Sequence, residues 1–157
     1  MAAIAQDLIA RKVTSASHLA MHGGSNGGLM AGNMLVQYPQ LFDAVVIESP
    51  LLDMRRYSQL LAGASWMEEY GNPDTADWSF IRTFSPYHLF DPDTSYPPTM
   101  IATSTRDDRV HPGHARKMAA IRATPCVDTG ACSRITGDER TAARAQNADM
   151  RQGTIRV

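Results

Sequence analysis

Gly23-Gly24-Ser25-Asn26-Gly27-Gly28 is the stretch on which the interpretation of this sequence depends. A short apolar run, residues 18–22, precedes it, and a longer one, residues 29–36, follows it. The first run has the length of a strand and the second that of a helix, which predicts the order strand, tight turn, helix. Glycines on both sides of Ser25 let the strand and the helix approach closely and hold the serine on a sharp turn.

A Gly-x-Ser-x-Gly pattern between a strand and a helix is the nucleophile elbow of α/β-hydrolases. It predicts that Ser25 is a nucleophile and that the backbone N–H of Asn26 donates to the oxyanion formed during acyl transfer. A flexible surface loop is the competing interpretation, because glycine- and serine-rich runs are common in linkers. The flanking strand and helix favour the elbow.

The composition is that of a folded domain. The chain has 157 residues, of which 43% are hydrophobic and 20% charged, enough for one domain with a core. The formal net charge of −1 gives no reason to expect nucleic acid or an anionic membrane as a partner. Residues 1–20 lack a signal-peptide pattern, which favours a cytoplasmic location. Cys126 and Cys132 are too few for a zinc site or a disulfide framework, and the sequence leaves open whether they pair or stay free; we expect no metal and no cofactor.

The remaining apolar patterns predict alternating strands and helices. Two apolar runs of strand length predict buried parallel strands over residues 42–47 and 99–103. Besides the elbow helix, helices are predicted over residues 2–12, 51–62, 75–83 and 112–122. Residues 85–88 are predicted to form a loop. A strand, a helix and a second strand in close succession form a βαβ unit, so the predicted fold class is α/β, a mostly parallel sheet flanked by helices.

Asp107 follows the strand predicted over residues 99–103. In α/β-hydrolases the catalytic acid comes after the nucleophile in the chain and lies beyond the end of a strand, where it orients a histidine. This order predicts Asp107 as the acid of a serine triad. The alternative is that Asp107, Asp108 and Arg109 form a solvated turn with a local ion pair, and on these residues alone the turn is favoured.

Four segments of the chain resemble the prolyl oligopeptidases, and the resemblance runs from about residue 8 to residue 123. In chain order the segments are Gly23-Gly-Ser-Asn-Gly-Gly28, Trp66-Met-Glu-Glu-Tyr-Gly71, Thr83-Phe-Ser-Pro-Tyr87 and Asp107-Asp-Arg-Val-His-Pro112. They are similar in order and spacing to the nucleophile motif, the segment of the proline pocket, a linker and the acid motif of that family.

The resemblance implies a role for each of six residues. Ser25 would be the nucleophile and Asp107 the triad acid, while the N–H of Asn26 would contribute to the oxyanion hole. Among the substrate-binding residues, Trp66 would stack on the substrate proline, Arg109 would hold a peptide carbonyl, and Val110 would line the site. A flat aromatic face suits a proline ring, and a guanidinium offers planar donors to a carbonyl.

The function implied by the resemblance is serine-type hydrolysis of short peptides, after proline, through an acyl-enzyme and without a cofactor. Two alternatives remain open. One is an acyl-aminoacyl peptidase or esterase of the same fold. The other is a non-catalytic remnant of a peptidase.

Two departures from the family pattern bear on activity. Only about one helix precedes the elbow, so we expect the carboxyl-terminal half of an α/β-hydrolase domain over residues 1–123. Residues 124–157 are predicted to be a divergent tail, disordered or produced by a shifted reading frame. The triad histidine of the family lies well beyond the acid, yet no histidine follows His114. Of the earlier histidines, His22, His111 and His114 are weak substitutes and His18 and His88 have no case, so we expect an almost inactive chain.

Overall fold

The centre of the fold is a parallel sheet, and the computed structural model describes residues 1–122 of the chain. Within these residues the sheet has three strands, β1 (Ala20–Gly24), β2 (Ala44–Glu48) and β3 (Thr99–Ala102), in the order β1-β2-β3. Gly24 pairs with Glu48, and Glu48 pairs with Ala102. All three strands therefore end at one edge of the sheet, which is where ligands bind in open α/β sheets.

Six α-helices are described within residues 1–122, and several of them pack with the sheet in one core cluster. They are α1 (Ala2–Ala10), α2 (Asn26–Gln37), α3 (Met67–Tyr70), α4 (Trp78–Ile81), α5 (Pro86–Leu89) and α6 (Gly113–Arg122). Met21, Val45 and Ile47 point from the strands into the first core cluster, where they pack with Leu35 of α2 and Met118 of α6. The alternate residues of β1 are exposed, as expected when only one face of a strand is covered.

A second apolar cluster lies under the long connection between β2 and β3. Its buried members are Leu29, Leu51, Met54, Tyr57, Ile81 and Val110. Partly buried aromatic residues of the connection, among them Trp66, Tyr70 and Trp78, pack against these side chains. The cluster joins α2, the connection and the loop after β3.

The structure confirms the predicted α/β class and its βαβ unit. The strand predicted over residues 18–22 occupies Ala20–Gly24, and the strand predicted over residues 42–47 occupies Ala44–Glu48. The predicted tail over residues 124–157 lies outside the described residues. Among the helices described, none combines the length and the apolar character needed to cross a bilayer.

The helix predicted over residues 51–62 is wrong. Residues 51–56 belong to no helix, and the segment continues as short 3₁₀ turns at Tyr57–Gln59 and Leu61–Trp66. Leu51, Leu52, Asp53 and Met54 are all buried, whereas a surface helix buries only one stripe of its residues. The backbone N–H groups of Asp53 and Met54 bond to side chains of other segments, at His114 and Ser85, and not to carbonyls of a preceding helical turn.

The loop predicted over residues 85–88 is also wrong, because Pro86–Leu89 forms the one-turn helix α5. The backbone N–H groups of His88 and Leu89 donate to the carbonyl of Ser85 over 2.9 and 3.1 Å. Proline at the first position of this helix lacks an N–H where none is needed, so the Ser-Pro pair was a usable start signal.

Two glycines permit the close approach of β1, α2 and the end of β2. A Cβ atom on Gly23 would lie 2.0 Å from the carbonyl oxygen of Gly27, and one on Gly28 would lie 2.8 Å from the Cβ of Pro50. Neither position has room for a side chain, whereas a Cβ on Gly27 would meet no atom within 4 Å. Packing therefore requires glycine at positions 23 and 28 but not at position 27.

Gly23→Ala is expected to destabilise the protein, because the new methyl group forces α2 away from β1. Overpacking of this kind lowers the free energy of unfolding by roughly 1–3 kcal/mol. Gly27→Ala is the matched control, and we expect it to be neutral or stabilising by up to about 1 kcal/mol, since alanine is the better helix former. Urea unfolding of both variants measures the difference, and equal free energies would contradict the packing argument.

Candidate active site at the nucleophile elbow

Ser25 lies between β1 and α2 in a backbone conformation that is rare for a side chain other than glycine. Its φ is 55° and its ψ is −116°. Its N–H donates to the carbonyl of Glu48 over 2.9 Å, and its own carbonyl accepts from Gly28 and Leu29 over 3.0 and 3.2 Å, which starts the helix. Such a conformation costs about 1–3 kcal/mol and persists only where the surroundings enforce it. The elbow predicted from the sequence is present.

Asn26 is the first residue of α2, so its N–H belongs to the helix-start groups that lack an intrahelical acceptor. Its side chain is held by the segment that carries Trp66. The hydroxyl of Tyr70 donates to Oδ1 of Asn26 over 2.6 Å, and Nδ2 of Asn26 donates to a carboxylate oxygen of Glu69 over 3.4 Å. Burial, reinforced by the nearby Glu69 carboxylate, raises the pKa of Tyr70 to about 12, so its hydroxyl stays protonated and able to donate.

Asp107 lies in the loop between β3 and α6, beyond the same edge of the sheet as Ser25. Its Oδ1 accepts from the backbone N–H groups of Arg109 and Val110 over 3.0 and 2.8 Å. Within residues 1–122 its second oxygen, Oδ2, accepts no hydrogen bond. The side chain is thus fixed through one oxygen and has the other left for a further donor.

Trp66, Arg109 and Val110 come together from two different parts of the chain. The guanidinium carbon of Arg109 lies 6.0 Å from the centre of the Trp66 ring, within the range of a cation–π contact. Trp66 is partly buried against the second apolar cluster, whereas Val110 is buried inside it. The aromatic face and the guanidinium are therefore adjacent before any ligand binds.

Each of the five histidines has partners of its own, and within residues 1–122 none of them hydrogen-bonds to the Ser25 hydroxyl. His18 bonds to neighbouring serines, and His22 pairs with Glu48 over 3.2 Å on the open face of the sheet. His88 contacts the buried Ser85 over 2.8 Å. His111 accepts the N–H of Gly113, and His114 accepts that of Asp53.

The model of the prolyl oligopeptidase family matches residues 1–124. The chain belongs to the prolyl oligopeptidase family.

Individual relatives agree with this assignment. An uncharacterized peptidase of Sinorhizobium fredii is 55% identical over 120 residues, which cover 76% of this chain and 16% of that protein. A post-proline cleaving enzyme from Rickettsia typhi superposes with a TM-score of 0.74 at 40% identity, covering 76% of this chain and 17% of the other. Prolyl oligopeptidase B from Galerina marginata was solved with a bound 35mer hydrolysis and macrocyclization substrate. It superposes with a TM-score of 0.72 at 34% identity, covering 75% of this chain and 17% of the other.

These matches establish the fold as that of the α/β-hydrolase domain of prolyl oligopeptidases. The chain spans 16–17% of the length of the relatives named here. It therefore corresponds to a part of their structures, and that part carries the elbow, the Asp107 loop and the Trp66 segment.

Sequence reasoning missed two groups of polar residues near this site. Glu69 and Tyr70 bond to the Asn26 side chain, although the resemblance had marked their segment only for Trp66. Asp53 is buried in the run Leu51-Leu52-Asp53-Met54, where a lone acidic residue among apolar ones is a signal of a buried ionic contact. No group of three or more histidine, cysteine or acidic side chains within residues 1–122 is arranged to hold a metal ion.

His114 gives the stability of the folded chain a predictable sensitivity to acid. Burial lowers its pKa from the ordinary 6.5 to about 4, so the folded chain keeps it neutral. Between pH 6.5 and 4 the unfolded chain takes up a proton that the folded chain does not. The contribution to stability is therefore complete above pH 6.5 and is lost as the pH falls towards 4, by up to about 3 kcal/mol.

His114→Gln should flatten this part of the pH profile, because glutamine retains an acceptor but does not titrate. The measurement is the free energy of unfolding between pH 7 and 4, with the exposed His18→Gln as the matched control. The control should keep the parent slope. A His114→Gln variant that loses stability with acid as steeply as the parent would disprove the assignment.

Proposed function

We propose that this chain carries the nucleophile and the acid of a serine peptidase that cleaves short peptides after proline. The observation that carries the proposal is the elbow itself, with Ser25 at a positive φ between β1 and α2. The family membership supports peptide-bond hydrolysis as the reaction. Trp66 and Arg109 support proline as the residue before the cleaved bond.

In the proposed reaction the Ser25 hydroxyl attacks the peptide carbonyl and forms a tetrahedral oxyanion. The Asn26 N–H donates to this oxyanion, while a histidine takes the serine proton and then delivers it to the leaving amine. An acyl-enzyme remains and is hydrolysed by water. Asp107 would orient the histidine and stabilise its charged form through Oδ2.

The general base of this mechanism is the group that residues 1–122 do not bring to Ser25. His22 is engaged with Glu48 on the open sheet face, and His114 is buried against Asp53. No histidine follows His114 in the 157 residues. We propose that the base comes from another polypeptide segment, and that these 157 residues alone hydrolyse peptides extremely slowly.

Added imidazole provides a direct test of the nucleophile, because it supplies a base in solution. We expect a fluorophosphonate probe to label the chain faintly without imidazole and more strongly as imidazole is added. Ser25→Ala should abolish the imidazole-dependent labelling, whereas Ser65→Ala, a change at an exposed serine, should leave it intact. Mass spectrometry locates the label, and equal labelling of the parent and Ser25→Ala would refute the proposed nucleophile.

Proline preference can be measured as binding, without turnover. We expect the chain to bind acetyl-Gly-Pro-amide more tightly than acetyl-Gly-Ala-amide, because the pyrrolidine ring packs on the indole of Trp66. Trp66→Ala should reduce this preference roughly tenfold or more, the scale of one apolar pocket contact. Trp78→Phe is the control, since Trp78 is the only other tryptophan in the chain.

Isothermal titration calorimetry of the six pairs of peptide and protein gives the preference directly. A Pro/Ala ratio that Trp66→Ala leaves unchanged would show that Trp66 only packs against its neighbours. It would then favour the acyl-aminoacyl peptidase or esterase alternative, for which proline is not required.

A further inference from the structure

Asp53 is a buried carboxylate that the proposed reaction does not use. Its side chain is 1% exposed, and its Oδ2 is in contact with the ammonium group of Lys117. Its Oδ1 accepts the N–H of Arg55 over 3.2 Å and lies 3.9 Å from Nδ1 of His88. Burying a carboxylate is costly unless charged and polar partners surround it. Here the partners of Asp53 offset that cost, and together they form a buried ionic cluster.

Asp53 holds the first turns of α6 at two points. Its backbone N–H donates to Nδ1 of His114 over 3.1 Å, and its carboxylate contacts Lys117 one turn further along the same helix. His114 is buried as completely as Asp53. Because the two α6 residues lie three positions apart, they share one helix face, and a single residue of the connection fixes that face.

The start of α6 determines where the Asp107 loop can lie. Only residues 103–112 connect the end of β3 to Gly113, the first residue of α6. The end of this loop is tied to the helix start, because Gly113 donates to Nδ1 of His111 and His114 donates to its carbonyl, over 2.9 and 3.1 Å. A shift of α6 would therefore move the backbone groups that hold the Asp107 carboxylate.

Residues 53–55 also contact the rest of the connection between β2 and β3, which carries Trp66 of the proposed substrate site. The N–H of Met54 donates to the hydroxyl of the buried Ser85 over 3.0 Å. Arg55 bonds to the carbonyl of Pro73 and lies 5.3 Å from the centre of the Trp78 ring. Residues 53–55 thus contact both α6 and the connection around Trp66.

We propose that Asp53 is a positioning residue for Asp107, acting through His114 and Lys117 to fix the start of α6 relative to the substrate site. It does not touch the reacting atoms. The catalytic meaning of this inference rests on the proposed role of Asp107 as the acid. The structural part, that the loop depends on Asp53, can be tested without any turnover.

Hydrogen exchange of backbone amides in the complete 157-residue chain tests the inference. The reporters are the amides of Arg109 and Val110, which bond to Asp107. Asp53→Asn keeps the shape and the acceptor for Arg55 but loses the charge that holds Lys117. We expect the two reporter amides to exchange roughly tenfold faster, the scale of one charge-assisted hydrogen bond. The amide of Ser25, which bonds to Glu48, should keep its rate.

Asp74→Asn is the matched control, because Asp74 pairs with Arg55 over 3.1 Å at the exposed end of the same region. We expect the parent exchange rates in this variant. Unchanged rates at Arg109 and Val110 in Asp53→Asn would overturn the proposal. Equal acceleration of exchange at Arg109, Val110 and Ser25 would overturn it too, because Asp53 would then stabilise the whole fold and not the loop in particular.

Two substitutions of Lys117 make the test independent of whether Asp53→Asn folds. Lys117→Arg retains a cation for Asp53 and should keep the reporter amides protected, whereas Lys117→Met removes the cation and should release them selectively. The same behaviour in both variants would overturn the proposal. Failure of Ser25 labelling in the imidazole experiment would instead refute Ser25 as the nucleophile, and with it the catalytic meaning of this inference. Whether the loop depends on Asp53 is decided by the exchange rates alone.

Discussion

The contact between Gly23 of β1 and the carbonyl of Gly27 in α2 is the constraint on which the rest of this structure depends. At the observed separation a side chain on Gly23 would overlap that carbonyl. The contact lets the chain reverse within a few residues, and the reversal forces Ser25 to a φ of 55°. The strain at the serine is therefore a consequence of strand–helix packing, and the apolar cluster around Leu35 and Ile47 balances its cost.

The parallel register carries the effect of this contact across the sheet. Glu48 receives the N–H of Ser25, and Ser49, at a φ of 39°, donates its N–H to Ala102 over 2.8 Å. The chain thus leaves both β1 and β2 through a residue with a left-handed backbone, at the same edge. Beyond Ala102 the third strand leads into the Asp107 loop, so Ser25 and Asp107, far apart in sequence, reach one side of the sheet. This is the general geometry of ligand sites in parallel sheets.

The regular elements could be predicted from the sequence because each one repeats a simple pattern. The β2 run is apolar at successive positions from Ala44 to Ile47, which is enough to indicate a strand, and the elbow glycines mark the turn before α2. The wrong prediction of a helix over residues 51–62 has an equally simple cause. Apolar residues such as Leu52 and Met54 also indicate burial in an irregular segment, and periodicity does not distinguish that case from a helix. The Asp107 loop could be located by its place after a strand, but the contacts that hold it could not, because Asp53 contacts Lys117 only in the folded chain.

The two anchors of the Asp107 loop differ in physical kind, and this difference explains why both are present. Val110 fixes the loop by apolar burial, which is strong but non-directional, so the side chain tolerates small shifts within its cluster. The Asp53 cluster adds directed contacts to α6, whose lengths and angles tolerate little displacement. Replacement of a buried ion pair by apolar residues is often neutral or stabilising, so stability alone does not account for such a pair. We infer that the value of the cluster lies in fixing the loop at one position, where a carboxylate can serve a histidine.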